Sequence, residues 1–284
     1  MIQSLSSVKY TACQQGYTQS GKYFSKVLFS KNCEIGRCVS EIFEIQNCDI
    51  DAGVHVIPDG CNDIILAFDG TKINSFLSLS ISEPYTFCFG KMKWIFGVRF
   101  YPGATYSIFH DKLENSPSNA IDVNLLLSGF SEIENSICET NSFEERVHVL
   151  NTGLEKQLKQ PDATENILRY CVGRILLTGG LISIESLANE TGYTGRHVRQ
   201  LFLRHIGHSP KQLANIIRVQ NALQHIDKMK YSNLSEAAFQ FGFSDQSHMN
   251  REFRKFLNIT SGSIKPDANW ITRIQTGNVR HFGG

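Results

Sequence analysis

The chain has 284 residues, 41% hydrophobic and 19% charged, which suits two domains with real cores and excludes a disordered tail. No apolar run approaches the roughly 18 residues needed to span a bilayer, and the start MIQSLSSVKY lacks the basic and apolar regions of a secretory signal. The sequence is therefore read as cytoplasmic, with no membrane partner. The net charge of +1 hides an asymmetry: from residue 180 onward 13 Lys and Arg stand against 7 Asp and Glu, and the first 179 residues hold the other 15 against 20. A basic C-terminal module behind an acidic one points to an anionic partner for the former.

Residues 1–115 read as β-rich. Val54–Ile57, Ile64–Phe68, Phe76–Ile81, Phe87–Phe89 and Ile95–Phe100 are separated by Pro58-Asp59-Gly60, Asp69-Gly70, Glu83-Pro84 and Pro102-Gly103. Short β-branched and aromatic runs between turn signals predict a small sandwich or barrel. After about residue 119 the period becomes helical: Phe143, Val147, Leu150, Leu154 and Leu158 form one apolar stripe. That stripe packs either on its own domain or on a second copy, which would make a homodimer through helix 143–158.

Lys159-Gln160-Pro161-Asp162-Ala163 reads as a linker, with Asp162 or Thr164 as the N-cap of the next helix. Gly179-Gly180 ends that helix, and Ser183 to about Ile264 is helical in pattern, with Pro210 where a new helix would begin. The expected fold class is α+β. A β-rich barrel- or sandwich-like sensor or dimerisation domain with trailing helices spans 1–160. An all-α domain with two helix-turn-helix units joined by a long helix spans 164–284.

That last reading rests on a repeat. Ile184 to Phe202 and Leu234 to Phe253 each carry a small residue (Ala188, Ala238), a glycine four later (Gly192, Gly242), an aromatic, a hydroxyl, then an amphipathic helix. Alanine lets two helices touch, glycine makes the left-handed turn, and a hydroxyl can cap the second helix. The 18 residues from Lys211 to Lys228 between the units span roughly 27 Å as a helix. That could set two reading helices about one DNA turn, roughly 34 Å, apart.

Residues from about 164 to 265 resemble the DNA-binding domain of AraC/XylS-type transcriptional regulators. The resemblance lies in Ala188, Gly192, Phe202, Gly207, Ser209-Pro210, Arg218, Ala222, Ala238 and the run Gly242-Phe243-Ser244-Asp245-Gln246-Ser247, with Arg251, Phe253 and Lys255. It implies a reader whose two units enter successive major grooves of promoter DNA, RNA polymerase as a partner, and activation rather than repression. The family usually has proline where Ser261 stands, its closing aromatic–arginine pair is missing after Ile264, and Gln200 replaces a frequent arginine. Val56 to Ile65 and Phe96 to Ala104 resemble sensor domains of one subgroup of that family, which implies effector binding or dimerisation.

On the first reading helix Arg196, Arg199 and Gln200 are the exposed candidates for base edges, while Val198, Leu201 and Phe202 face the core. His197 and Arg204 are placed at phosphates. On the second, Gln246, Ser247, Asn250 and Arg251 are exposed and Met249 and Phe253 buried, with Asp245 as helix cap rather than cytosine reader. The N-terminal candidates for a small effector are Asp59, Cys61, Asp63, Arg99 and Tyr101; Arg99 would pair either with an effector carboxylate or with Asp59 or Asp63 across two strands.

No G-x-S-x-G, H-E-x-x-H or phosphate-cradling glycine loop is present, so no catalytic residues are assigned and an enzyme is not expected. The eight cysteines read as reduced core residues, and no metal or cofactor is expected. Two rivals remain. A cysteine-based DNA alkyl-transfer protein on the same reader would need Cys33, Cys38, Cys48 and Cys61 to form two close pairs, which their spacing does not supply. A thiol-redox sensor would need an exposed cysteine of low pKa.

Overall fold

The computed structural model describes residues 10–14, 23–28, 34–48, 54–110, 120–228, 234–264 and 279–281. A six-stranded antiparallel sheet forms the N-terminal half, in the order β1-β2-β7-β4-β5-β8. Its strands are β1 (Tyr23–Leu28), β2 (Val39–Cys48), β4 (Asn62–Phe68), β5 (Ile73–Ser78), β7 (Met92–Phe100) and β8 (Ala120–Asp122). A second sheet holds β3 (Val54–Val56), β6 (Tyr85–Cys88) and β9 (Val279–His281), the last parallel to β6. Among the described residues β1 and β8 end the large sheet, and the small sheet lies against one of its faces.

Strand β4 explains the layering. Its run Ile64-Ile65-Leu66-Ala67 is apolar without alternation because both faces are covered. Ile64 and Leu66 join Ile42, Phe96, Val98 and Phe100 in a core against the helices; Ile65 and Ala67 join Phe43, Ile45 and Ile95 in a core against the small sheet. The covering helices are α1 (Tyr106–Phe109), α2 (Val123–Leu126), α3 (Phe130–Cys138) and α4 (Phe143–Glu155).

The stripe on α4 belongs to this core. Leu150 and Leu154 are fully buried in it, and Phe143, Val147 and Leu158 pack against it. Of the two packings expected for the stripe of helix 143–158, the structure has the first: the apolar face is covered by the chain's own sheet. Arg146 adds an ion pair to Glu44 of β2, Nε to Oε2 at 2.6 Å, with both side chains buried.

The segment 159–162 is pinned rather than free. Arg37 Nη2 donates to the Lys159 carbonyl at 2.8 Å, and the Tyr106 hydroxyl donates to Asp162 Oδ2 at 2.9 Å. Asp162 then caps α5 (Ala163–Leu177) by accepting from the Glu165 N–H at 2.7 Å. There follow α6 (Ile184–Thr191), α7 (Gly195–His205), α8 (Pro210–Lys228), α9 (Leu234–Gln240) and α10 (Gln246–Leu257). Ser209 and Gln212 form a reciprocal capping box around Pro210, which starts α8 at the position its sequence predicts.

Helix α8 is buried on two faces. Leu213, Ala214 and Ile217 join the core of α5, α6 and α7; Ile216, Val219, Ala222, Leu223 and Ile226 join that of α9 and α10. Its 19 residues are about 29 Å long. No helix among the described residues is long and apolar enough to cross a membrane.

Candidate nucleic-acid interface

Two helix-turn-helix units flank α8, one built from α6 and α7 and the other from α9 and α10. In each, a glycine at φ +74° turns the chain: Gly192 donates to the Ala188 carbonyl at 3.0 Å, and beyond Gly242 the Phe243 N–H reaches the Ala238 carbonyl at 2.9 Å. Thr194 caps α7 by accepting from the His197 N–H at 3.2 Å. In the second unit the cap is Asp245, which accepts from the His248 N–H at 2.7 Å, one residue later than the hydroxyl of Ser244. Hydrogen bonds from that N–H and the Ser244 hydroxyl hold the Asp245 carboxyl below its ordinary pKa.

The residues expected to face DNA are placed as follows. On α7, Arg196, Arg199, Gln200 and Arg204 are exposed, and half-buried His197 stacks on Tyr193 at 4.8 Å between ring centres. Val198 and Phe202 are fully buried and Leu201 is partly buried against the same core. On α10, Ser247 and Arg251 are exposed, and Met249 and Phe253 are fully buried. Gln246 and Asn250 are half-buried and engaged: Gln246 Oε1 accepts from the Ser235 hydroxyl at 3.1 Å, and Asn250 Oδ1 accepts from both the N–H (3.0 Å) and the hydroxyl (2.8 Å) of Ser261. Two further exposed cations on α10, Arg254 and Lys255, lie three and four residues after Arg251; Lys255 carries part of the family resemblance, but neither is among the expected DNA contacts.

Of the effector candidates, Arg99, Asp63 and Asp59 come together at the large sheet. Arg99 is 2% exposed and grips Asp63 with two bonds, Nε–Oδ1 at 2.9 Å and Nη2–Oδ2 at 2.6 Å. Its Nη1 lies 3.5 Å from Glu41 and 3.6 Å from Asp59. Burial opposes its charge, but these carboxylates outweigh it and raise the guanidinium pKa. Of the two open pairings for Arg99, the structure shows the internal one. Desolvation pushes Asp59 up to about 6. Cys61 and Tyr101 are buried beside them and pack toward the helical half. The adjoining cavity has about 10 Å³ of free space, room for about one water.

These residues also sit at a seam between the two halves. The Gln220 side chain of α8 bridges the Cys13 N–H and the Pro58 carbonyl, both at 2.8 Å. Gln14 Nε2 donates to Asp59 Oδ2 at 2.8 Å, and the Tyr10 hydroxyl donates to the Asp59 carbonyl at 2.8 Å. The Ser80 hydroxyl meets His208 Nε2 at 2.8 Å, and Tyr106 packs edge-on to His205 at 4.6 Å. Sequence reasoning has no signal for this seam, since its partners lie up to 213 residues apart, as Gln224 and Thr11 do.

Burial raises the thiol pKa of Cys38, Cys61 and Cys138, and pushes Cys171 up to about 12. Those thiols lack the low pKa a redox sensor requires. Cys33 lies outside the described residues, as does the Cys48 side chain. Among the described residues no group of three His, Cys, Asp or Glu could hold a metal ion.

Residues 187–264 match a family model described as a helix-turn-helix domain, and residues 37–118 match a domain of unknown function, DUF6597. The chain is 28% identical over 80 residues to the multiple antibiotic resistance protein MarA of Escherichia coli strain K12, an alignment over 28% of this chain and 61% of MarA. The chain thus spans about three fifths of the length of that relative. The probable transcription factor PqrA of Proteus vulgaris is 24% identical over 122 residues, 40% of this chain and 97% of PqrA. ToxT from Vibrio cholerae superposes over 89% of this chain and 100% of its own at 13% identity and a TM-score of 0.38, too loose a fit to carry an argument. Two capped helix-turn-helix units on one joining helix coincide with the family match over 187–264, so the C-terminal part carries a helix-turn-helix domain similar to those of MarA and PqrA, behind an N-terminal β-sheet domain.

Proposed function

We propose that the chain is a sequence-specific, DNA-binding transcription regulator, an activator working with RNA polymerase in the cytoplasm, and not an enzyme. The observation that carries this reading is the pair of capped reading helices at either side of α8, whose exposed faces hold Arg196, Arg199, Arg204, Arg251, Arg254 and Lys255. Helix length supports it: about 29 Å is close to the roughly 34 Å between successive major grooves on one face. We assign the reader to residues 164–284 and the N-terminal domain to 1–160. The N-terminal domain acts on the reader through the seam at α8, where Gln220 and His208 are held. An effector of organic size would enter the cavity at Arg99 only by opening that seam, because this cavity admits about one water.

Hydroxyl-radical footprinting of the DNA upstream of the chain's own gene tests the geometry. Two protected segments about 10 base pairs apart on one face are expected. A single protected segment, or uniform protection along the duplex, would contradict it.

A further inference from the structure

The two units differ in what their reading helices leave available, and aligning the helices by their caps makes this plain. With Thr194 set on Asp245, Val198 falls on Met249 and Phe202 on Phe253, all four fully buried. On the outer faces Arg196 then stands against Ser247, Arg199 against Asn250 and Gln200 against Arg251. One turn later Leu203 and Arg204 stand against Arg254 and Lys255.

The first turns of a reading helix are the ones that reach base edges. There the first unit presents two exposed arginines and a glutamine, none with a side-chain hydrogen bond among the described residues. The second presents a serine, an asparagine already tied to Ser261 and, in the place of Gln200, a single exposed arginine, Arg251. An amide side chain reads adenine with both ends, its oxygen accepting from the exocyclic amine and its nitrogen donating to the ring. Asn250 Oδ1 already accepts two bonds from Ser261, which is fully buried. Turning the amide toward DNA would strand those two buried donors, a loss comparable to the stabilisation a bond to adenine would bring. Gln246 Oε1 accepts a single bond from the exposed Ser235 hydroxyl, a weaker hold than that on Asn250.

We propose that base specificity resides in the first unit, through Arg196, Arg199 and Gln200, while the second unit anchors on phosphates through Arg251, Arg254 and Lys255, with Asn250 held back by Ser261. This rests on the DNA-binding reading above. Ser261→Pro is the discriminating variant because it removes both donors to Asn250 at once. The backbone accepts it: Thr260 is extended (φ −99°, ψ 158°), as the residue before proline requires, and Ser261 opens a 3-10 turn.

The experiment is selection of binding sites from a randomised duplex pool by the full chain, by Arg199→Ala and by Ser261→Pro, with footprints on the selected DNA. The native chain is expected to protect two segments. One should carry guanine-rich preferences of about tenfold or more per contacted base, and the other almost none. Arg199→Ala should flatten the first, and Ser261→Pro should give the second an adenine preference of several fold. Equal base information in both segments with the native chain overturns the division of labour. So does an unchanged second segment in a Ser261→Pro chain that melts like the native one. Should the proline variant not fold, the native profile decides alone. Enrichment of nothing above the starting pool by the native chain overturns the DNA-binding reading instead, and with it this proposal.

Discussion

Arg99 brings a full charge into a core where water has almost no access, and three carboxylates hold it there. Removing one member of such a group leaves the others charged and unpaired. Arg99→Leu is therefore expected to cost about 3–5 kcal/mol, measured by urea unfolding; a loss under about 1 kcal/mol would mean these charges are solvated. Nearby, two shifted groups oppose each other with pH. Asp59 titrates at about 6 in the folded chain, above its ordinary value of 3.8, so its contribution falls as pH rises from about 4 to 6. His208 is held at about 4 by burial, below 6.5, so stability is lost as pH falls from about 6.5 to 4. Asp59→Asn should leave the His208 slope exposed, with stability dropping on acidification, and His208→Gln should leave the opposite slope. Melting temperatures from pH 4 to 7 read both, and slopes of the same sign in the two variants would contradict the assignment.

The capped turns show how far local chemistry reaches. Gly192 and Gly242 share φ +74°, which an L side chain adopts with strain, but only Gly242 has a neighbour in the way, the Leu181 side chain; nothing lies near Gly192. Gly242→Ala should therefore destabilise more than Gly192→Ala, which is expected to cost about 1 kcal/mol, in paired thermal melts. Asp245→Ala, which uncaps α10, should cost about 1 kcal/mol as well. The glycines, the small residues before them and Asp245 as cap are legible because turn chemistry is written in adjacent residues. Strand β2 is absent from the segments read as strands because its Glu41 and Glu44 lie inside, where they pair with Lys26, Arg99 and Arg146. The two arginines lie 58 and 102 residues further on, beyond any periodic pattern.

The two halves share cores: Ile57 packs among residues of α8 and α10, and Cys61, Tyr101 and Tyr106 among those of α5 and α7. Composition and the linker-like stretch at 159–163 suggest two modules in series, and they hold no sign that one rests on the other. Gln220→Ala should take the side-chain donor from the buried Pro58 carbonyl, at about 1–3 kcal/mol. Its effect should appear equally in sheet and helix signals if the seam couples the halves; a change confined to the helical signal would contradict that coupling. The measurement that bears most directly on the whole account is salt-dependent binding of the full chain to its own upstream DNA, against a scrambled duplex, with and without Arg196→Ala plus Arg251→Ala. The expected result is tighter binding to the native duplex, with the double variant losing that preference and the salt slope falling by about 1. Equal binding to both duplexes that vanishes at modest salt would show a basic surface and no reader.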